Sequence, residues 1–331
     1  MKRLLGRSGI EISALGAGCW AIGGPYGDSA NQYGWGGSRD DDESIRALHR
    51  ARELGITFFD TASSYGAGHS EKLIGSAFHG VRDEVVIATK WGFTFDEERR
   101  LALGTDDSLE FVRACLEGSL RRLRTDYVDL YQLHLGDLPV ARALEMIAVL
   151  DDLVTEGRIR SYGWSTDDPA RAAAFAEAGA GCTAIQHDLS VLSGSAELLA
   201  VCEKFDLASI NRGPLAMGLL SGKYHDGRQV PGDDVRSQAL PWMRYFRDGV
   251  GAPEWLAAID AIREVLTSGG RTLAQGALAW LWARSPATVP IPGFRTVEQV
   301  EENAAAMSFG PLTTADMAQI DKIMTTVTTA D

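Results

Sequence analysis

Four residues of this chain stand where apolar runs end: Asp60 and Tyr65 in "FFDTASSYGAGHSEKLIGSAF" (58–78), Lys90 after "VVIAT" and His134 after "VDLYQL". Singly, each has a plain structural reading: a helix cap, a wall aromatic, a snorkelling lysine, a hydrogen-bonded core histidine. Together they form an acid–base set. A lysine among apolar strands is costly unless paired, and Asp60 is its natural counter-ion. The cation favours the phenolate, so the grouping predicts a Tyr65 pKa below the ordinary phenol value. A phenol poised nearer neutrality passes a proton to a carbonyl oxygen. His134 then orients the same oxygen and leaves the carbonyl carbon open to hydride. No metal-ligand spacing in the sequence offers competing chemistry, so the hydride donor is an organic cofactor.

Such groups need elements that bring separate strands to one place. After a hairpin turning at "GRSG", short apolar runs alternate with helical patterns almost to the end. The runs are "ISALGAG", "ITFFDTA", "EVVIATKWG", "VDLYQLH", "IRSYGWS", "TAIQHDLS", "LASINRGP" and "ATVPIPGF", and they imply eight parallel strands. Helical candidates between them include "DDDESIRALHRARELG", "SLEFVRACLEGSLRRL", "VARALEMIAVLDDLVTEG" and "DPARAAAFAEAGA", several with acidic starts and glycine stops. Parallel strands require such crossovers. No Gly/Ser or Pro linker divides the series, so the expected fold is a single α/β domain over 1–331, a (β/α)8 TIM barrel with an N-terminal β-hairpin. Long loops follow the first and seventh strands and would emerge at the C-terminal face. Their Trp20, Tyr26, Tyr33, Trp35, Trp242, Tyr245 and Phe246 either wall a pocket or pack the loops. "GAGCWA" (16–21) satisfies a loose dinucleotide fingerprint. The chain that follows, "IGGPYGDSANQYGWGG", is too rich in Gly and Pro to be the helix that a Rossmann site needs.

The 331 residues are 45% hydrophobic and 23% charged, a balance that suits a folded enzyme with a large core. A net charge of -13 repels phosphate backbones, and no basic run interleaved with aromatics provides a nucleic-acid footprint. No run approaches the roughly 18 apolar residues of a membrane span, and "MKRLLGRSGIEIS" lacks a signal-peptide core. A cytoplasmic protein that binds neither nucleic acid nor membrane is expected. Cys19, Cys115, Cys182 and Cys202 are widely spaced and read as reduced thiols.

Asp60, Tyr65, Lys90 and His134, in this order on the second to fourth strands, resemble the catalytic tetrad of the aldo-keto reductases. "GITFFDTASSYGAGHSEKLIG", "VVIATKWG" and "VDLYQLH" are similar to that family's tetrad segments, and the similarity extends over nearly the whole chain. It implies the same barrel, NADP(H) extended across its mouth, and reduction of a small-molecule aldehyde or ketone to an alcohol with Tyr65 as acid. "GWSTD" resembles the family's Gly-x-Ser-Asn segment, which implies that Ser165 and Thr166, with Gln186, hold the nicotinamide carboxamide. "INRGPLAMGLLSGKY" resembles the segment under the nicotinamide and pyrophosphate. That implies contacts from Arg212, Pro214, Leu215, Met217, Gly218, Ser221 and Lys223, with Arg212 either stacking on the ring or pairing with phosphate. "IPGFRTVEQVEEN" resembles the adenosine site, with Gly293, Arg295, Gln299, Glu302 and Asn303 at matching positions and a helix from near Thr296 aiming its amides at phosphate. Cys19, Trp20 and Asp60 complete the implied cofactor contacts. Two other functions fit the same resemblance: an aldose or polyol dehydrogenase working oxidatively, and an NADP(H)-binding regulatory subunit with little turnover. Monomer and homo-oligomer both remain open.

Overall fold

In the computed structural model, which describes residues 1–37 and 39–328, β1 (Lys2–Leu4) and β2 (Glu11–Ser13) pair antiparallel around a tight turn at Gly6–Ser8. After β3 (Gly16–Gly18) come α1 (Asp41–Glu53), β4 (Phe58–Asp60), α2 (His69–Ala77) and β5 (Val86–Trp91). A small ribbon, β6 (Phe93–Asp96) and β7 (Leu101–Thr105), precedes α3 (Leu109–Leu123). The series resumes with β8 (Val128–Leu133), α4 (Val140–Glu145), α5 (Ile147–Thr155), β9 (Ile159–Ser165), α6 (Pro169–Ala178), β10 (Cys182–Ser190), β11 (Ser193–Gly194), α7 (Ala196–Lys204) and β12 (Ala208–Arg212). A second ribbon, β13 (Phe246–Arg247) and β14 (Val250–Gly251), lies in the long connection to α8 (Pro253–Leu266). Then follow α9 (Leu273–Arg284), β15 (Thr288–Pro290), α10 (Val297–Phe309) and α11 (Thr314–Thr328).

Local chemistry sets many of these boundaries. The Asp40 side chain accepts from the Glu43 amide at the start of α1, and Ser108, Asp168, Ser195, Thr272 and Thr296 cap α3, α6, α7, α9 and α10 in the same way. The stretch 140–157, expected as one helix, is two. At Met146 the N–H bonds the carbonyl of Ala143, three residues back, and this tightened turn separates α4 from α5.

Among the described residues the parallel sheet runs β3-β4-β5-β8-β9-β10-β12-β15, the order in which those strands occur in the chain. Gly18 pairs with Gly293, and its amide donates to Pro292 O at 3.0 Å, which brings the last strand back to the first and closes the barrel. A Cβ on Gly18 would lie 2.5 Å from Ile291 O. The glycines of "GAGCWA" therefore serve close approach at the barrel seam, and the dinucleotide-fingerprint reading falls away.

Side chains alternate along each strand, so every second residue enters the lumen. From the bottom these are apolar: Phe58, Val86 and Ala88, Leu130, Ala184, Ala208 and Ile210, and Val289 form one buried cluster, joined by Leu5 and Ile12 of the hairpin region. Leu5 and Ile12 thus plug the floor. Arg7 ties the plug to the barrel by donating to the carbonyls of Cys182, Ala176 and Gly179. One step further up, the same alternation places Asp60, Lys90, Gln132, Ser165, Gln186 and Arg212 at the C-terminal end. The lumen is an apolar column with a polar cap.

Candidate active site

The polar cap is organised around one carboxylate. Asp60, at the end of β4 and 1% exposed, accepts from Lys90 Nζ at 2.6 Å through Oδ1. Through Oδ2 it accepts from Gln186 Nε2 at 2.8 Å and Gln132 Nε2 at 3.1 Å. Lys90 is fully buried, and its ammonium donates also to Thr61 O at 2.7 Å and to the Tyr65 hydroxyl at 3.3 Å. The three ammonium hydrogens thus have three acceptors, which is what makes a buried lysine tolerable. Gln132 is a member that sequence reasoning missed. It lies two residues before His134, and the period-two rule marks it as lumen-facing.

Tyr65 reaches the ammonium because the segment after β4 folds tightly against the first long loop. Gly66 has φ +59, and a Cβ there would lie 2.0 Å from Gly23 O, so only glycine permits the approach. His134 follows β8, and its amide donates to Trp91 O at 2.9 Å. Its ring stands edge-on to Tyr65 at 5.9 Å and to Phe93 at 5.0 Å. Burial, with the Lys90 and Arg212 charges adding to it, holds His134 well below the ordinary imidazole value, so the ring is neutral.

The expected lowering of Tyr65 is reversed. Burial, reinforced by the Asp60 carboxylate, pushes the phenol well above its ordinary value, and burial also lowers Lys90 despite Asp60. Desolvation of the phenolate is the larger cause, and the Asp60 charge adds to it while Arg212 opposes it. Tyr65 therefore keeps its proton at neutral pH.

Beside this set opens a cleft of about 330 Å³. Its lining includes Cys19, Trp20, Asp60, Tyr65, Gln186, Arg212, Pro214, Leu215, Met217, Gly218, Ser221, Lys223, Gly293, Arg295, Gln299, Glu302 and Asn303. Ser165 and Thr166 are not part of that lining. The Thr166 hydroxyl donates to Gly136 O at 2.7 Å and so fastens the end of β9 to the neighbouring turn. Gln186 spends its amide on Asp60. Arg212, in the cleft lining, is ion-paired with Asp167. Asp188 holds Arg244 in a similar pair.

The cleft also has a lining residue that the sequence did not mark. Arg236, in the long loop after β12, is clamped by Asp234 at 2.8 Å and lies over the ring of Trp35 at 4.4 Å, and its Nη1 donates to the Tyr224 hydroxyl at 2.6 Å. A lone arginine in an irregular loop carries no pattern that reveals it.

The loops close on one another. Val235 N donates to Gly34 O at 3.1 Å and Gly37 N to Asp233 Oδ2 at 2.9 Å, which seams the first loop to the long loop. On the other flank Gly27 bridges Leu101 of β7, and Ala102 N donates to Gly27 O at 2.7 Å. Arg295 Nη1 donates to Gly36 O at 2.8 Å, joining the end of the barrel to the same loop. Two of the amides opening α10, where a phosphate was expected, bond acceptors within the protein. Val297 N donates to the Glu43 carboxylate at 2.8 Å and Gln299 N to Thr296 Oγ1 at 3.4 Å.

Comparison with known proteins agrees with this geometry. The sequence model of the aldo/keto reductase family matches residues 14–325. Aldo-keto reductase YhdN of Bacillus subtilis is 31% identical over 300 residues, covering 89% of this chain and 85% of that protein. The fold superposes on a glycerol dehydrogenase from Gluconobacter oxydans with a TM-score of 0.80 at 29% identity, covering 98% of this chain and 94% of that one. It superposes on an aldo/keto reductase from Klebsiella pneumoniae, solved in complex with NADP and acetate, with a TM-score of 0.70 at 26% identity, covering 98% and 95%.

Proposed function

Because the chain belongs to the aldo/keto reductase family, we propose that it is an NADP(H)-dependent oxidoreductase that reduces an aldehyde or ketone to an alcohol, with Tyr65 as the proton donor. The observation that carries this reading is the buried chain from Asp60 through Lys90 Nζ to the Tyr65 hydroxyl. A reduced nicotinamide, when bound, supplies the hydride. The cleft beside the chain fits a dinucleotide: Arg212, Lys223, Arg236 and Arg295 offer positive charge for its phosphates, and Gln299, Glu302 and Asn303 offer polar groups for its base.

The protein's own part is proton transfer and orientation. Tyr65, held protonated by burial, donates to the carbonyl oxygen as negative charge develops there, and neutral His134 holds that oxygen by a hydrogen bond. Lys90 keeps a positive charge beside the resulting phenolate and so stabilises it. Asp60 and its two glutamine donors fix Lys90 in place.

A protonated Tyr65 favours the reductive direction, since oxidation of an alcohol needs it as a base. The oxidative reading is supported by the glycerol dehydrogenase neighbour. Rates with NADPH plus carbonyl and with NADP⁺ plus alcohol, measured across pH, separate the two. A regulatory subunit would bind NADPH yet turn over none of a broad carbonyl panel. Four buried free cysteines are in keeping with a reducing compartment, and we place the enzyme in the cytoplasm.

A further inference from the structure

We infer that the first turn of α2 braces the proton-donating set, with Ser70 and Glu71 as positioning residues that set the Lys90 ammonium against the Tyr65 hydroxyl; this rests on the reading of Tyr65 as the acid given above. The need for a brace comes from where the sheet stops. β4 is three residues long, and its ladder to β5 ends with Asp60 opposite Ala88, two residues short of Lys90. Beyond that point the main chains are joined by Thr61 N on Ala88 O at 2.8 Å and by a longer bond, 3.3 Å, from Ser63 N to Lys90 O. Of the three acceptors of the Lys90 ammonium the Tyr65 hydroxyl is the farthest, at 3.3 Å against 2.6 and 2.7 Å. It is therefore the first contact that a displaced strand end would lose.

The alternation that sends Lys90 into the lumen turns Thr89 outward onto α2. There the Thr89 hydroxyl donates to Glu71 Oε1 at 2.6 Å. Ser70 takes the other strand end: its hydroxyl accepts from Thr61 Oγ1 at 2.8 Å and donates to Cys19 O at 2.8 Å, and its amide donates to Tyr65 O at 3.2 Å. Thr61 is the residue whose carbonyl receives the Lys90 ammonium. Two adjacent residues of one helical turn thus hold the chain on both sides of the ammonium, and one of them also holds the chain at the tyrosine. Thr61, Ser70, Glu71 and Thr89 are all fully buried. The second Glu71 oxygen accepts from Arg122 Nε at 2.7 Å, and Arg122 Nη1 reaches Glu97 at 3.3 Å in the turn between β6 and β7. A buried ion pair is a poor device for stability alone, since well-packed apolar residues often serve as well or better. What it supplies is direction: the Glu71 carboxylate cannot turn from Thr89 without abandoning Arg122.

The test follows NADPH oxidation with two activated carbonyls of different shape, methylglyoxal and 4-nitrobenzaldehyde. Thr89→Val removes the hydroxyl and keeps the branched side chain. Its kcat is expected to fall about three- to thirtyfold, less than the roughly 10²-fold that an ångström of misplacement costs. KM for the carbonyl, and the affinity and stoichiometry of NADPH binding by fluorescence titration, should stay within about twofold of wild type. Thr89→Ser, which retains the hydroxyl, should recover most of the rate. Ser70→Ala cuts the other arm and should show the same split, so the inference is decided even where Thr89→Val does not fold. Wild-type kcat in either variant, or an equal fall in Thr89→Ser, overturns the inference while carbonyl reduction stands. A loss of NADPH sites in step with kcat also overturns it, because the brace would then serve folding alone. Absence of NADPH oxidation by wild type with these and every other carbonyl tried overturns the reductase reading and the positioning role with it.

Discussion

At the strand ends, Asp60, Lys90, Gln132 and Gln186 come from four barrel strands, and contacts of 2.6–3.1 Å join them where water scarcely reaches. In the loops above, the first long connection meets its neighbours through main-chain bonds at Gly34 and Gly27, the Gly37 amide on the Asp233 carboxylate, and exposed rings such as Trp242. The strand-end region cannot move one residue without breaking sheet ladders, whereas the loop region can part at a seam and lose only two or three hydrogen bonds. Chemistry that depends on sub-ångström placement sits on the former, and selection and admission of ligands fall to the latter.

That division is open to attack at both ends. The largest effect is expected at the polar cap: Tyr65→Phe should lower kcat on the order of 10²-fold or more while NADPH affinity, followed by fluorescence titration, stays near wild type. Near-normal turnover would remove Tyr65 as the acid and with it the idea that chemistry is confined to the strand ends. The barrel wall should also announce itself in acid. His187 on β10 is buried, bonds Ser209 Oγ at 2.8 Å, and is lowered from 6.5 to about 4, chiefly by burial. Above pH 6.5 it is neutral folded or unfolded and contributes no slope. Between 6.5 and 4 the unfolded chain binds a proton that the folded one refuses, so stability should fall by about 3 kcal/mol in all from this group. Chemical denaturation across that range should show the loss, and His187→Gln should flatten it by about one proton. An unchanged slope in the variant would mean that the barrel histidine accepts its proton without penalty.

Smaller effects belong to the rim. Arg295→Ala should weaken NADPH relative to NADH by about ten- to a hundredfold in kcat/KM, if its guanidinium reads the 2'-phosphate. The same residue holds Gly36, so equal weakening of both cofactors would assign it to the loop seam instead. Glu43, whose carboxylate sits on the first turn of α10, should oppose a phosphate there. Glu43→Gln is accordingly expected to raise the NADPH to NADH ratio by only about two- to fivefold, and a fall in that ratio would show that the carboxylate helps to build the site rather than competing for it.

What could be read in advance divides along the same line. The eight strand-forming runs and the four residues at their ends were legible, because burial on both faces of a parallel strand leaves a continuous apolar run that stops where the polar cap begins. Gln132 was within reach of the same rule. The direction of the Tyr65 shift was not, because sequence shows that a cation is near but not how completely water is excluded. The closure of α10 by Glu43 joins positions 254 residues apart and leaves no local trace. The seams at Gly34 and Gly27 are main-chain contacts, indifferent to side-chain type and so silent in composition. Arg236 fails for a different reason: its partners Asp234, Trp35 and Tyr224 become neighbours only when both loops are folded.

The plug at the barrel floor has a consequence for how the chain is made. Leu5 and Ile12 are synthesised before every strand whose lumen they fill, and the wall they pack against includes Val289. Gly18 likewise waits for Pro292 and Gly293 to close the ring. During translation at roughly 5–20 residues per second, this apolar hairpin region would spend on the order of 15 s or more without its binding site. A nascent chain in that condition is a natural client for ribosome-associated chaperones, and the last strand to emerge is the one that releases it.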